Sequence, residues 1–299
     1  MFKFFLALAL ALHAVCASAA VKPYSADVST WKEITVPASE EEREVWSYAA
    51  NYSEIAWRVY TEETIVKAKL DDSNSKKADR DTRFVIAAEP LSGSLRTTTS
   101  FAEVDDGWLV GYNCGEFGAA LYWFSKDRKE HYKISNHHIV DFIKKDDGLY
   151  AIEGLAHRGS TEGSWLRLTK VSRRWQAKVD VKLPCVPFAA SLKRDQNVLV
   201  VCNEALLSIG RQPENTSKNV ISIKRKPLLQ DGLWPTSAGM SDREDYLYIG
   251  ARQYVIQVNL DNGKIRYLIP DDSLINKLSA KSEAEVRHQF KALGPVNSH

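Results

Sequence analysis

This 299-residue sequence has almost no net charge, because its 40 basic residues are balanced by 38 acidic ones. A protein that binds nucleic acid through its phosphates needs a concentrated basic face. The short basic clusters Arg173-Arg174 and Lys224-Arg225-Lys226 are explained more simply as solvated strand ends or turns. The composition therefore argues against a nucleic-acid partner.

Recognisable catalytic and cofactor motifs are also missing. The sequence has no phosphate-binding loop, no Gly-x-Gly-x-x-Gly, no Gly-x-Ser-x-Gly turn, no His-Glu-x-x-His and no EF-hand loop. The cysteines lack the spacing of a zinc site. His137-His138 is a poor metal site, because adjacent side chains of an extended strand point to opposite sides. We therefore predict neither a cofactor nor a metal.

Long hydrophobic runs are confined to the N-terminus. Lys3 precedes an apolar run over residues 4–15, and Ala17-Ser18-Ala19 supplies the small residues of a signal-peptidase site. The run is about 12 residues, shorter than the roughly 20 that span a bilayer. We interpret residues 1–20 as a signal peptide, with a membrane anchor or a lipid on Cys16 as alternatives. A secreted or periplasmic protein without a membrane span is expected.

Cysteine is scarce, since removal of the signal leaves Cys114, Cys185 and Cys202. An odd number permits at most one internal disulfide and leaves one thiol over. An oxidising compartment favours a bridge, and Cys185 and Cys202 fall near the same end of paired strands in one repeat. We predict that these two form a disulfide, with buried free thiols as the alternative.

What the sequence does contain, between residues 84 and 269, is a repeated strand pattern. Hairpins recur about every 41 to 50 residues, the spacing of four-stranded propeller blades. Two of them turn at Asp105-Asp106-Gly107 and Asp146-Asp147-Gly148, where glycine accepts the positive φ of a tight turn. Two others turn near residues 194–197 and 242–245, and two strand-like runs follow each hairpin.

This repeat predicts an all-β protein, a β-propeller of four-stranded antiparallel blades over residues 21–270. Five blades fit best, with a first blade from runs at residues 55–60 and 64–70, and six is the alternative. Residues 30–36 are expected to add a strand that closes the ring, residues 40–51 to form a short helix, and residues 271–299 to form a tail with helical character. A pair of stacked sheets or an irregular sheet assembly is the alternative fold.

The pattern lacks the Gly-His and Trp-Asp signature of WD40 repeats and the double glycines of kelch repeats. Over about residues 54–270 it resembles the broad group of exported bacterial β-propellers of uncharacterised function. This resemblance rests on the blade pattern alone. It implies a central channel with ligand loops on one rim, and it transfers no residue role.

Propeller topology places one set of loops on a common rim. The links between the second and third strands of each blade lie at the same end of the ring as the links between blades. Loops held by a rigid scaffold are where binding residues concentrate. We therefore predict ligand binding by five residues of these loops, Glu116, His138, Glu153, His157 and Trp234.

Two functions are compatible with these residues. The favoured one is an exported binding or scaffold module that recognises a protein, peptide or glycan, with Trp234 suited to stack on a sugar or another ring. The alternative is a hydrolase or lyase acting on an envelope polymer or a small metabolite, with Glu116, Glu153 and His157 as candidate catalytic residues. Convergence of those three side chains in a deep pocket would favour the enzyme. Exposed aromatic side chains with dispersed carboxylates would favour binding.

Overall fold

The computed structural model of the protein describes residues 25–52, 55–70, 84, 98–155, 163–202, 205–212, 215–225 and 234–270. The predicted signal peptide, the predicted C-terminal tail and His157 lie outside these residues. Within them, no helix has the length and hydrophobicity needed to cross a bilayer.

Strands make up most of the described chain. They are β1 (Ser25–Asp27), β2 (Lys32–Ile34), β3 (Trp57–Glu62), β4 (Ile65–Leu70), β5 (Thr98–Val104), β6 (Gly107–Asn113), β7 (Ala119–Ser125), β8 (His131–Ser135), β9 (Ile139–Lys145), β10 (Gly148–Gly154), β11 (Gly163–Val171), β12 (Arg174–Leu183), β13 (Pro187–Leu192), β14 (Val198–Cys202), β15 (Leu206–Gln212), β16 (Asn215–Arg225), β17 (Pro235–Met240), β18 (Tyr246–Ala251), β19 (Val255–Asn259) and β20 (Ile265–Ile269). One α-helix, α1 (Glu40–Tyr52), lies between β2 and β3 in the described chain.

These strands form antiparallel sheets that follow one another along the chain. In the described residues the sheet orders are β1-β4-β3, β5-β6-β7-β8, β9-β10-β11-β12, β13-β14-β15-β16 and β17-β18-β19-β20-β2. We call them the first to fifth sheets. The first strand of each later sheet contacts its counterpart in a neighbouring sheet, as β5 does with β9, β9 with β13, and β13 with β17, while β17 also contacts β3. The protein is therefore the all-β propeller that the repeat predicts.

Apolar side chains on both faces of the sheets form the core. In β6, Leu109 packs with Ile139 between the second and third sheets, whereas the next residue, Val110, packs with Phe84 on the opposite face. Alternating residues of a strand point to opposite faces, so a strand packed on both sides is apolar throughout. The five residues of β14, Val198–Cys202, are all buried for this reason.

The N-terminal segment connects the first and last sheets. β1 pairs with β4. β2 lies within residues 30–36, which were expected to add a strand that closes the ring, and it pairs with β20. Between these strands, Trp31 is buried and its ring lies 4.7 Å from that of Trp57, in a cluster that the two sheets share. Pairing with both sheets lets this short segment hold the ring together.

Helix α1 forms as predicted and packs on the fifth sheet. The Ser39 hydroxyl accepts a hydrogen bond from the backbone N–H of Glu42 at 3.3 Å, which caps the first turn. Further along the helix, the Trp46 ring stacks on Tyr254 at 4.8 Å and meets Tyr267 edge-on at 4.9 Å. The helix therefore covers apolar surface that this sheet would otherwise expose.

Charged side chains connect the hairpin turns on the face of the ring opposite the predicted rim. Asp106, in the second sheet, accepts hydrogen bonds from Lys170 at 2.7 Å and from the Trp175 indole at 3.1 Å, both in the third sheet. Asp147 pairs with Arg211 of the fourth sheet in the same way. These turns therefore join adjacent sheets.

Candidate functional site

A cavity of about 310 Å³ lies where the first strands of the sheets meet. Its lining comes from β3, β5, β9, β13 and β17, with one residue from β4. The lining residues are Arg58, Val59, Tyr60, Lys69, Ser100, Val140, Asp141, Phe188, Ala189, Thr236, Ser237 and Ala238. They stand within the first four residues of their strands, apart from Lys69, which is near the end of the antiparallel β4. The cavity is therefore the end of the central channel that the linking loops surround, and we call it the channel mouth.

The channel mouth carries charge of both signs. Arg58 and Lys69 lie directly opposite each other on β3 and β4, and both line the cavity. Asp141, on β9, accepts a hydrogen bond from the backbone N–H of Phe142 at 2.8 Å, and Ser100 lies 3.5 Å from the same oxygen. Burial raises the pKa of Asp141, and the nearby positive charge of Arg58 offsets only part of this effect.

Aromatic side chains flank these charges. Tyr60 lines the mouth, and its ring lies 5.5 Å from the Lys69 ammonium, within cation–π range. Phe188, on β13, also lines the mouth, and its ring meets that of Trp234 edge-on at 5.3 Å. Trp234 is 47% exposed. The mouth therefore offers flat apolar surfaces beside cations.

Glu153 and His138, both predicted site residues, lie close together beside the mouth. A Glu153 carboxylate oxygen lies 3.1 Å from Nδ1 of His137 and accepts the backbone N–H of His138 at 3.3 Å. The His138 ring nitrogen lies 3.2 Å from the side-chain oxygen of Asn113. The two adjacent histidines thus have different partners, which connect the second sheet to the third.

The pKa values of Glu153 and His138 are both lowered, but for different reasons. Burial alone would raise the pKa of Glu153, but hydrogen bonds from His137 and from the backbone N–H of His138 hold the pKa below its ordinary value. Burial lowers the pKa of His138, with the charge of Glu153 opposing it. The Glu153–His137 pair has the reach of a base and its orienting partner, although it also anchors the link between β8 and β9.

Glu116 occupies a different environment from Glu153. It lies on a short 3-10 turn, Gly115–Phe117, and is exposed, next to Phe117, which is 66% exposed. The Asn113 side chain accepts the backbone N–H of Gly115 at 3.1 Å, so the residue that contacts His138 also holds this turn. Within the described residues, no group of three or more His, Cys, Asp or Glu side chains is arranged to hold a metal ion.

A disulfide lies on the same side of the ring. Cys185 precedes β13 and is bonded to Cys202 at the end of β14, with their Cα atoms 6.1 Å apart. Cys114 is half-buried and is not part of this disulfide. The covalent bond holds the chain two residues before β13 begins at Pro187, and Phe188 and Ala189 of that strand line the mouth.

The channel-mouth residues themselves were not predicted as a site. A usable signal was present, because Asp141 interrupts the apolar run Ile139-Val140-Asp141-Phe142-Ile143 at an inward strand position. Arg58 is a similar interruption in β3. Loop residues were preferred because loops usually carry function.

Comparison with known proteins adds no assignment of family or function. Neither protein-family models nor curated proteins gave a match. A candidate 6-phosphogluconolactonase from Bacteroides uniformis is 13% identical, with a TM-score of 0.43 over 75% of this chain and 69% of that one. Virginiamycin B lyase from Staphylococcus aureus is 12% identical, with a TM-score of 0.39 over 59% of this chain and 57% of that one.

The extracellular domain of a candidate one-component system from B. thetaiotaomicron also resembles the chain. It is 13% identical, with a TM-score of 0.41 over 81% of this chain but 29% of the larger protein. These neighbours are β-propeller-like and differ in function. With TM-scores below 0.5, none of them transfers a function to this chain.

Proposed function

We propose that the protein is an exported binding module that seats its ligand at the channel mouth. The observation that carries this proposal is the lining of the mouth, which combines cations, an acid, hydroxyls and aromatic faces contributed by each of the sheets. A concave site with a few convergent polar groups among apolar ones is the usual form of a ligand pocket. The exposed Trp234 extends aromatic surface beyond it.

The dispersion of the carboxylates favours binding over the enzymatic alternative. Glu116 is exposed on its turn, whereas Glu153 is 14% exposed and is held by His137 and by a backbone N–H. A hydrolase or lyase needs its acid and base to act on one reacting bond. Two carboxylates in such different settings fit recognition better.

Export is the second part of this proposal. It is supported by the N-terminal sequence, in which a basic residue, an apolar run and a small-residue cleavage site follow in order. N-terminal sequencing of the protein recovered outside the cytoplasm tests this point. A chain that begins at Ala20 or Val21 is expected, and an intact N-terminus starting at Met1 would contradict it.

Binding is tested by screening the mature protein on arrays of glycans and short peptides. For the ligand that is retained, Trp234→Ala should weaken the affinity about tenfold or more, because an aromatic platform at the mouth is lost. Phe117→Ala is the matched control and should change the affinity by less than about twofold, because Phe117 is an exposed aromatic residue outside the lining, whereas Trp234 contacts the lining residue Phe188. Equal losses in both variants, or conversion of the ligand to products, would contradict the proposal.

A further inference from the structure

A second cavity, of about 260 Å³, lies on the fifth sheet, at the end of the ring that carries the hairpin turns. It is formed by β2, β18, β19, β20 and the turn between β19 and β20, and it shares no lining residue with the channel mouth. Its lining includes Glu33, Tyr246, Gln257, Asn259, Asn262 and Arg266. We call this cavity the flank pocket.

The flank pocket lies on the face of the fifth sheet that packs against the first sheet. Val255 and Leu268 of that face are buried in the cluster that the two sheets share. Gln257 and Arg266 are two residues away on the same strands, so they point to the same side. In the described chain the first sheet has three strands and its outer strand, β1, is three residues long, so part of this face stays open.

A chain of hydrogen bonds fixes Arg266 in the pocket. Its Nε donates to a carboxylate oxygen of Glu33 at 2.8 Å, and its Nη1 donates to the side-chain oxygen of Gln257 at 3.1 Å. The Gln257 amide in turn donates to the buried hydroxyl of Tyr248 at 2.6 Å. A guanidinium has five N–H donors, so further donors remain for a ligand. Because the side chain is already held in place, a ligand need not order it.

Two asparagines add donors to the pocket. Oδ1 of Asn259 accepts the backbone N–H groups of Asp261 and Asn262 at 2.9 and 3.0 Å, and Oδ1 of Asn262 accepts that of Lys264 at 2.9 Å. The oxygens of both side chains thus serve the turn. Among the described residues, no hydrogen bond engages either NH2 group, and each can donate two.

The lining as a whole matches a neutral sugar. A sugar hydroxyl both donates and accepts, so neighbouring hydroxyls can accept from the asparagine amides and Arg266 and donate to Glu33. An oxyanion only accepts, and the Glu33 carboxylate would repel it. The Tyr246 ring offers a surface for the apolar face of a pyranose. The volume lies below the roughly 300–1,000 Å³ of pockets for drug-sized ligands, which suits a single sugar ring.

We propose that the flank pocket binds one neutral hexopyranose residue of a glycan, which packs on Tyr246 and is hydrogen-bonded by Arg266, Glu33 and the two asparagines. The pocket is separate from the channel mouth. The inference therefore goes beyond the proposed function and does not depend on it.

The experiment is a nuclear magnetic resonance titration of the mature protein with the methyl glycosides of glucose, galactose and mannose, followed by the amide chemical shifts. At least one glycoside should bind with a Kd on the order of 1 mM. The shift changes should centre on Tyr246, Gln257 and the turn Asn259–Lys264. Tetrahydropyranylmethanol keeps the ring but has no neighbouring hydroxyls, so it should cause no saturable change.

Two variants test the residues of the pocket. Arg266→Met keeps most of the apolar stem and removes the donors, and Tyr246→Leu keeps apolar packing and removes the ring. Each should weaken binding about tenfold. Arg194→Met is the matched control and should leave the affinity unchanged, because Arg194 is an exposed arginine paired with Asp242 outside the pocket. If Arg266→Met disturbs the sheet, Tyr246→Leu keeps the test decisive.

The possible failures are distinguishable. Saturable shifts with inorganic phosphate but with none of the glycosides would overturn the sugar class. Shifts at the strands of the channel mouth instead of β18–β20 would overturn the flank pocket and leave the proposed function intact. Absence of binding by all three glycosides, or an equal loss in Arg194→Met, would also overturn the inference. The array screen with Trp234→Ala tests the channel mouth independently of these results.

Discussion

Glycine at position 250 shows how single residues set the spacing between sheets. A Cβ atom at Gly250 would lie 2.3 Å from the carbonyl oxygen of Trp57, in the adjacent first sheet. Backbone cannot move away as a flexible side chain would, so Gly250→Ala should lower the free energy of unfolding by about 1–3 kcal/mol, the usual cost of overpacking. Urea denaturation followed by tryptophan fluorescence measures this loss.

Gly239 provides the control for that substitution. It also lies in the fifth sheet, but a Cβ there would meet its nearest neighbour, the Thr61 hydroxyl, at an ordinary 3.5 Å. Gly239→Ala should therefore cost less than about 0.5 kcal/mol. Similar losses in the two variants would show that strand propensity, rather than contact between sheets, accounts for the effect.

Asp141 should reduce stability at neutral pH. Because its pKa is raised in the folded protein, its ionisation costs folding energy as the pH rises above its ordinary value of 3.8 and through the folded-state pKa. Asp141→Asn keeps an oxygen that can accept the Phe142 N–H and avoids that cost. The variant should gain stability over the wild type as the pH rises from 4 to 8, as measured by urea unfolding. A gain that is the same at every pH would contradict the assignment.

The contacts of individual residues could be predicted only where a local sequence pattern indicates them. Cys185 and Cys202 could be paired from the sequence because both fall at the ends of strands in one repeat. His137 is not among the predicted site residues, because its position beside Glu153 depends on the path of the link between two sheets. No local pattern encodes that path, and the same holds for Arg58 opposite Lys69.

Among the structural elements, the hairpins show which turns are easy to predict. The Asp-Gly turns place Gly107 and Gly148 at φ of 159° and 146°. Other hairpins, including those at Glu63, Gln196 and Glu244, achieve the tight reversal with a non-glycine residue in the left-handed region. Such residues give a weak sequence signal, since their conformation is imposed by the paired strands. Their hairpins were found from the apolar runs on either side.

The disulfide should be the main local support of the fourth sheet on the loop side. Its two cysteines are 17 residues apart, and a cross-link of this length stabilises a fold by about 3 kcal/mol. Adding dithiothreitol should lower the free energy of unfolding by that order in the wild type and equally in Cys114→Ser. The double variant Cys185→Ala/Cys202→Ala should not respond to the reductant, and a response there would contradict the assignment.

For the molecule as a whole, stability depends on closure of the ring by the N-terminal segment. Trp31→Ala should cost about 3–5 kcal/mol, because a buried indole between the first and fifth sheets is lost. Trp31→Phe, which keeps an aromatic ring against Trp57, should cost less. Amide hydrogen exchange should accelerate in β3, β4 and β20 before it does in β9–β12. An unchanged free energy of unfolding would contradict this role.

The overall architecture was predictable because each blade repeats the same pattern of strands and turns. The first sheet was less predictable because of its outer strand, β1. This strand precedes its partner β4 by about 40 positions, and the helix lies between them in the chain. A strand of three residues has too few alternating positions to be recognised from periodicity. The channel mouth could be located only after the sheets were placed around it.

Amide chemical-shift changes during a titration with the ligand retained on the glycan and peptide arrays test the central claim most directly, namely that separate sheets form one ligand site. The changes should fall on the starts of five strands far apart in sequence, at Trp57–Tyr60, Ser100-Phe101, Ile139–Asp141, Pro187–Ala189 and Pro235–Ala238. The hairpin turns at the opposite end, such as Asp146-Asp147-Gly148, should be unaffected. Changes confined to one sheet, or centred on those turns, would contradict the account.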